Sequence, residues 1–358
     1  MARSGGGRHL RKETMDTILQ EPTWLAVQRD LGHDVADLSG PGWRAGAVLQ
    51  RRRVGSFLYC PYGPVVAEPG ALPAALTALT GEARRAGAWF LRLEPMPAGD
   101  GLEPGRGRDV AELREVLAAR GARISPSDVQ PRRTRLIDLR RPPEDLLAGM
   151  TGSIRTIYRN GHKKGLAVEA SSDPADIAIL LGFLELTASR KGIRTHPERY
   201  LRQVAATLMP RDAAKLYITR QHGTPVCAAL VYDSATVRTF AHAAVPAQHR
   251  RLRPNQPLIV QAMLDARARG QHAADLFGIA PTDDPSHPWA GFTAFKRSFG
   301  GIDVAHTGTW DLPVRSAAYG LYRQARSTLD ASRQGERRVR RALAAARSSA
   351  RPAGSPAS

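Results

Sequence analysis

The sequence predicts an α+β protein made of two similar units. Three observations carry this. The 358 residues correspond to about two domains at roughly 150 residues each. Amphipathic helical stretches alternate with short apolar strands along the chain. An order of helices, antiparallel meander, helix, strand, helix and strand occurs about once in each half, without a residue-level repeat.

The elements follow in order. Thr17 to Leu31 has helical periodicity around Trp24, and Ala45 to Arg51 and Ser56 to Tyr59 are short strands. Leu72 to Ala86 is a helix rich in alanine and leucine that stops at Gly87, and Trp89 to Leu93 is an apolar strand stopped by Pro95. A Gly/Pro-rich loop, Met96 to Gly107, leads to a helix over Asp109 to Arg120 and a strand over Thr134 to Leu139. Pro142-Pro143 opens a helix toward Gly152, followed by a second piece over Ser153 to Lys164. Leu166 to Ala170 is a strand, Ala175 to Lys191 a long helix behind Asp173-Pro174, and Pro197 to Met209 another helix. The clearest β signal is a meander of Lys215 to Arg220, Val226 to Tyr232 and Val237 to Ala243, broken at His222-Gly223 and Asp233-Ser234. Helix (Pro257 to Arg269), strand (Ala274 to Ile279), helix (Trp289 to Phe299), strand (Ile302 to Thr309) and helix (Ala317 to Leu329) complete the chain.

Composition narrows the class. Hydrophobic residues are 42% and charged residues 24%, which excludes collagen, coiled coil and wholesale disorder. Two cysteines, Cys60 and Cys227, allow at most one disulfide and no four-cysteine zinc site, and suit a reducing compartment. No run of 18 apolar residues is present, and the basic start lacks the apolar segment of a secretory signal. Residues 1–14 are expected to be a disordered extension, with Met15 as an alternative start.

The net charge of +19 points to a polyanionic partner. Of 52 basic side chains only six are lysines. The charge gathers in residues 132–164, in Arg250, Arg251 and Arg253, and in a tail from Arg323 onward that carries nine arginines. A basic cluster is often only a solvated face, but three together favour a charged partner. The final residues, Arg347 to Ser358, are rich in Ser, Ala, Pro and Gly and are expected to be disordered.

A meander followed by a helix is also how the GNAT acyltransferase core is built. There a Gly-rich loop opens the helix and its backbone N–H groups cradle the pyrophosphate of acyl-CoA. The corresponding stretch, Gln248-His249-Arg250-Arg251-Leu252-Arg253-Pro254, has arginines where glycines would stand. Their side chains would obstruct the cradle, which counts against acetyl-CoA while keeping the fold.

Five groups of residues then make a resemblance. They are Tyr59-Cys60-Pro61-Tyr62-Gly63-Pro64; Leu91-Arg92-Leu93-Glu94-Pro95; Gln130-Pro131 with Thr134, Asp138-Leu139, Ile154-Arg155 and Lys164-Gly165; Thr187 to Gly192 with Tyr200; and Asp275-Leu276-Phe277-Gly278-Ile279 with Gly291 to Gly301. In order and spacing the chain resembles the Fem peptidoglycan-bridge aminoacyltransferases over residues 17–325. The resemblance implies two tandem GNAT-like units without a coiled-coil arm: residues 15–137 with 306–330, and residues 138–305, followed by a basic tail over 331–358.

It implies a reaction as well: transfer of Gly, Ala or Ser from aminoacyl-tRNA to the stem-peptide amine of a lipid-linked or UDP-linked muropeptide. No cofactor is expected beyond aminoacyl-tRNA as co-substrate. The protein is expected to be a cytoplasmic monomer, with peripheral contact at an anionic membrane face. Lys296 matches the family lysine that stabilises the oxyanion, and Phe295 its neighbour at the same site; the bland alternative for Lys296 is a surface helix lysine. Asp275, at a strand end, is a candidate to orient the acceptor amine or, equally, to stabilise a turn. Arg190, Lys191 and Tyr200 match a segment near the muropeptide, where the cations could instead serve a helix C-terminus. Arg29 matches a phosphate-binding lysine loosely, and Arg250 is assigned to substrate binding. His242 is read as a strand-end histidine packed in a core.

No metal-ligand spacing, Gly-x-Ser-x-Gly elbow or P-loop is present. Three rivals stand beside the main expectation. They are a tRNA-dependent enzyme of small-peptide or antibiotic biosynthesis, a CoA-dependent N-acyltransferase, and a non-catalytic nucleic-acid-binding protein. Against the last, aromatics are only 6%, with no cluster suited to RNA stacking.

Overall fold

A computed structural model describes residues 17–191 and 196–328. Each half of the chain builds one sheet. The first half opens with a 3₁₀ turn and α1 (Pro22–Asp30), then β1 (Val35–Gly40), β2 (Trp43–Arg51), β3 (Ser56–Cys60), β4 (Val65–Val66), α2 (Leu72–Arg85), β5 (Phe90–Leu93), β6 (Met96–Pro97), α3 (Arg106–Ala119) and β7 (Arg123–Ile124). The second half runs β8 (Arg133–Asp138), α4 (Pro143–Ala148), α5 (Gly152–Asn160), β9 (Leu166–Ser171), α6 (Ile177–Lys191), α7 (Glu198–Leu208), β10 (Ala214–Gln221), β11 (Thr224–Asp233), β12 (Val237–Ala244), α8 (Asn255–Ala268), β13 (Ala273–Gly278), α9 (Ala290–Arg297) and β14 (Ile302–Ala305). The chain then returns to the first sheet with β15 (Trp310–Pro313) and is helical over 316–328.

The first sheet has the order β6-β4-β2-β3-β5-β15-β7, with β1 paired to β2; the second is β14-β8-β13-β12-β11-β10-β9. The two share one construction. An antiparallel meander ends in a strand that pairs in parallel with the strand after a helix: β3, α2 and β5 in the first unit, β12, α8 and β13 in the second. A parallel pair needs such a crossover, and both helices bury their apolar sides on the sheet.

Three expectations change. The strand expected over Ile302 to Thr309 stops at Ala305: β14 pairs with β8, residues 306–309 cross between the sheets, and a separate strand beyond them, β15, pairs with β5. The boundary drawn at residue 137 falls inside β8, all of which pairs within the second sheet. And β1, unexpected, pairs with β2 across Pro41-Gly42, where Gly42 has φ +71°, the left-handed value that glycine supplies at a tight turn.

The units are joined by a common core. Ile18, Trp24, Leu25, Val27 and Val48 pack with Ile177, Leu180, Val204 and Leu208 in one cluster. Inside the first unit Arg92 is buried against Asp311 through two hydrogen bonds of 2.7 and 2.8 Å, its guanidinium near the rings of Phe57 and Phe90. Glu94 accepts hydrogen bonds from Tyr59 Oη, Tyr62 N, Gln130 N and Thr309 Oγ1, and so ties the Tyr62 turn and the crossing segment to β5. Among the described residues no helix is long and apolar enough to cross a membrane. The tail beyond Thr328 and the extension before Thr17 lie outside the described residues.

Candidate functional site

The site starts from a defect in the second sheet. β12 and β13 pair only from Val237–Ala273 to Thr239–Asp275, although β12 continues to Ala244. On its other side β13 breaks register with β8 between Asp275 and Gly278, and Phe277 takes φ +67°. Two parallel strands that part this way leave a gap at their C-terminal ends. The gap forms a cavity of about 380 Å³.

Both units line it. Trp24 and Tyr62 come from the first; Tyr200, Tyr232, His242, Asp275 and Phe277 come from the second; His306 comes from the crossing segment. Tyr62 is aimed by its own turn. It has φ +44°, its hydroxyl donates to Pro131 O at 2.9 Å, and the following Gly63–Pro64 bond is cis. Gln20 braces that turn, donating to Pro61 O and Gly46 O and accepting from Gly46 N. His196, stacked on Tyr200 and edge-on to His242, stands at the more exposed rim.

Electrostatics sharpen the picture. Asp275 is buried, and burial pushes its carboxyl up to about 6, against a hydrogen bond from Phe277 N (2.7 Å), the Lys296 charge and the Thr134 hydroxyl. Lys296 is 6% exposed, and its Nζ donates to Gly278 O at 2.6 Å. Burial pulls its ammonium down to about 8, and the Asp275 charge resists that fall. The register break therefore sets the Asp275 carboxylate on the wall of the cavity, with the Lys296 cation within electrostatic reach of it.

His306 Nε2 lies 3.1 Å from Thr134 Oγ1, so His306 and Asp275 meet the same hydroxyl. Burial and the charges of Arg106 and Arg114 push His306 down to about 3, and burial with His196 pushes His242 down to about 4. Both are neutral near pH 7. With Thr134 donating to Asp275 and His306 Nε2–H donating to Thr134, His306 Nδ1 is left as an acceptor. His306 Nδ1 and Tyr232 Oη are buried without a hydrogen-bonding partner, while Trp24 meets the Tyr200 hydroxyl. Two orphaned polar atoms on residues lining one cavity mark it as a place for a polar ligand.

The expected residues divide. Asp275 and Tyr200 line the cavity, and Lys296 stands beside Asp275. Asp275 also accepts the Phe277 N–H, so its turn-stabilising part is present as well. Lys296 is not a surface lysine. Phe295 does not join it: a step of one residue turns a helical side chain by about 100°, and Phe295 packs edge-on to Phe299 in the second core. The aromatic ring that meets Lys296 is Phe292, one turn earlier, centred 4.2 Å from Nζ. Arg29 and Arg250 are exposed and do not line the cavity. The side chains of Arg190 and Lys191 lie outside the described residues. His242, read as a core residue, is on the cavity wall, and His306 was not singled out: no local pattern marks a histidine that reaches the cavity from a segment crossing between sheets.

Gly278 is required where it stands. A Cβ there would approach Pro131 Cβ and Cγ at 2.9 and 2.7 Å. Gly278→Ala is expected to cost about 1–3 kcal/mol of stability, as overpacking does, read as a lower urea midpoint. Among the described residues no group of three or more His, Cys, Asp or Glu is placed to hold a metal ion.

Comparison with known proteins agrees with this architecture. Residues 152–297 match the family described as an acetyltransferase (GNAT) domain, which falls on the second unit. No curated protein matches the sequence. Among solved structures, FemX superposes with a TM-score of 0.73 at 17% identity, covering 88% of this chain and 98% of its own. The C-terminal domain of a protein described as a lysylphosphatidylglycerol synthetase from Agrobacterium fabrum follows with a TM-score of 0.55, 16% identity and coverages of 87% and 94%. L-PGS from Bacillus licheniformis gives 0.51, 12%, and 86% and 96%. In fold, then, the chain is similar to FemX, and its second unit matches the GNAT acetyltransferase domain.

Proposed function

We propose that the protein transfers an aminoacyl group from aminoacyl-tRNA to the stem-peptide amine of a peptidoglycan precursor. The observation that carries this is the buried Lys296 cation beside the buried Asp275 carboxylate, at a cavity that both units line. The acceptor arrives as an ammonium and must lose a proton before it can attack. Asp275 is a carboxylate of raised pKa, suited to accept a hydrogen bond from that group and its proton. The amine nitrogen then bonds to the ester carbonyl carbon. The carbonyl oxygen becomes an oxyanion next to Lys296 Nζ, which keeps two N–H bonds free of Gly278 O. Collapse breaks the ester C–O bond; the ribose oxygen leaves with the proton that the attacking nitrogen sheds, and the proton taken up by Asp275 passes to solvent. The net charge of +19 and the likeness to FemX support an RNA-borne donor.

The acetyltransferase description of residues 152–297 favours a second reading, a CoA donor. It is weakened by Arg250, Arg251 and Arg253 ahead of α8, where Arg253 takes φ +56°. Both readings meet in one assay. Labelled Gly-, Ala-, Ser- or Lys-tRNA, or labelled acetyl-CoA, is offered with a muropeptide or with phosphatidylglycerol vesicles, with and without RNase. RNase-sensitive label on the muropeptide, absent with Lys296→Ala, is the expected result. Label arriving from acetyl-CoA, or from tRNA onto the lipid alone, would replace the proposal.

A further inference from the structure

Two aromatic side chains stand out on the surface. Among the described residues eight large hydrophobic side chains are exposed, and only Trp289 (48%) and Phe292 (52%) are aromatic. They are not scattered. Phe292 lies over Lys296 Nζ, and Trp289 stands 3.8 Å from where a Gly278 Cβ would be, above the residue whose carbonyl holds that ammonium. Lys296 is the one buried lysine among the described residues. Phe292 therefore covers the buried cation directly, and Trp289 stands by the glycine whose carbonyl binds it. The pair is not fixed by stacking on the rest of the protein: Trp289 meets only the His287 ring, edge-on at 6.0 Å, among the recorded ring contacts.

We propose that Trp289 and Phe292 form a stacking platform for an unpaired nucleobase at the 3′ end of the RNA donor. This rests on the aminoacyl-tRNA reading above and names the donor's contact. Three features favour a nucleobase. Flat exposed rings offer π-faces to any base, the neighbouring cation suits the phosphate and ester of the same nucleotide, and the strongly basic chain attracts a polyanion. A base held on this platform sets its ribose ester against Lys296. The 6% aromatic content counted against an RNA-stacking cluster; a single base needs no more than two exposed rings.

The test uses full-length protein and two RNA hairpins, one with a single-stranded 3′ end finishing in adenosine and one lacking only that nucleotide. Fluorescence anisotropy gives both affinities for the wild type, Trp289→Ala, Phe292→Ala and Trp289→Phe, and sedimentation gives binding to vesicles containing phosphatidylglycerol. The wild type should prefer the adenosine-ended hairpin by about 5- to 100-fold. Both alanine variants should lose that preference while binding the shortened hairpin as the wild type does, and Trp289→Phe should keep most of it. An undiminished preference in both alanine variants, or none in the wild type, would overturn the platform and leave the donor proposal standing. A loss of vesicle binding with RNA binding intact would assign the rings to lipid instead. Failure of the wild type to bind either hairpin would remove the RNA donor and the platform together.

Discussion

Replacing Lys296 with alanine is expected to lower kcat of amide formation by about 10²- to 10³-fold, the usual cost of removing one preorganised donor to an oxyanion. The effect should lie in kcat more than in KM, because the oxyanion exists only in the transition state. The same pair of groups sets a pH signature. Activity should fall as pH rises through about 8, where Lys296 loses its proton, and as pH falls through about 6, where Asp275 gains one. The limbs belong to the coupled pair. In Asp275→Asn the acid limb should disappear. The alkaline limb should move to lower pH, because the charge that holds the Lys296 proton is gone. A flat profile for the wild type between pH 5 and 9, or an alkaline limb in Asp275→Asn that moves upward, would separate these groups from the chemistry.

Asp311→Ala is expected to cost about 3–5 kcal/mol of stability, because it strands the Arg92 guanidinium in the first core. Arg92 and Asp311 are 5% and 2% exposed and 219 positions apart. Their contact fastens β15, and with it the crossing segment that carries His306, to a sheet formed almost wholly by the first third of the chain. Replacing both partners with apolar residues, Arg92→Met with Asp311→Leu, should restore most of the loss, since no charge is then left buried. Urea denaturation followed by circular dichroism measures both. A single variant as stable as the wild type would show that water reaches Arg92.

Much of this molecule was legible locally. The meander of β10, β11 and β12 follows from β-rich runs cut by His222-Gly223 and Asp233-Ser234. The helix α2 follows from its apolar period and the stop at Gly87. β1 was missed although Pro41-Gly42 signals its turn, because Val-Ala-Asp-Leu-Ser-Gly offers little alternation of strong β-formers. At the site, Lys296 stood out as a rare residue type within a resembling segment. Its burial, and the turning of Phe295 into the core in favour of Phe292, depended on which face of α9 meets β13.

By itself, then, the sequence determined the α+β class, the two-unit order, the basic character and the short list containing Lys296, Asp275 and Tyr200. The class, the order and the charge rest on periods of two and 3.6 residues, on turn chemistry and on a count of charges, all of which act over a few residues, and the short list rests on the resemblance to the Fem family. Only the tertiary structure decided that β12 and β13 part after Thr239 and Asp275, that the 306–309 segment crosses between sheets, and that Trp24, Tyr62, His242 and His306 meet in one cavity. The physical reason is distance along the chain. Those side chains are brought together by strand pairing and by a shared core, and such long-range contacts leave no periodic trace in the residues that make them.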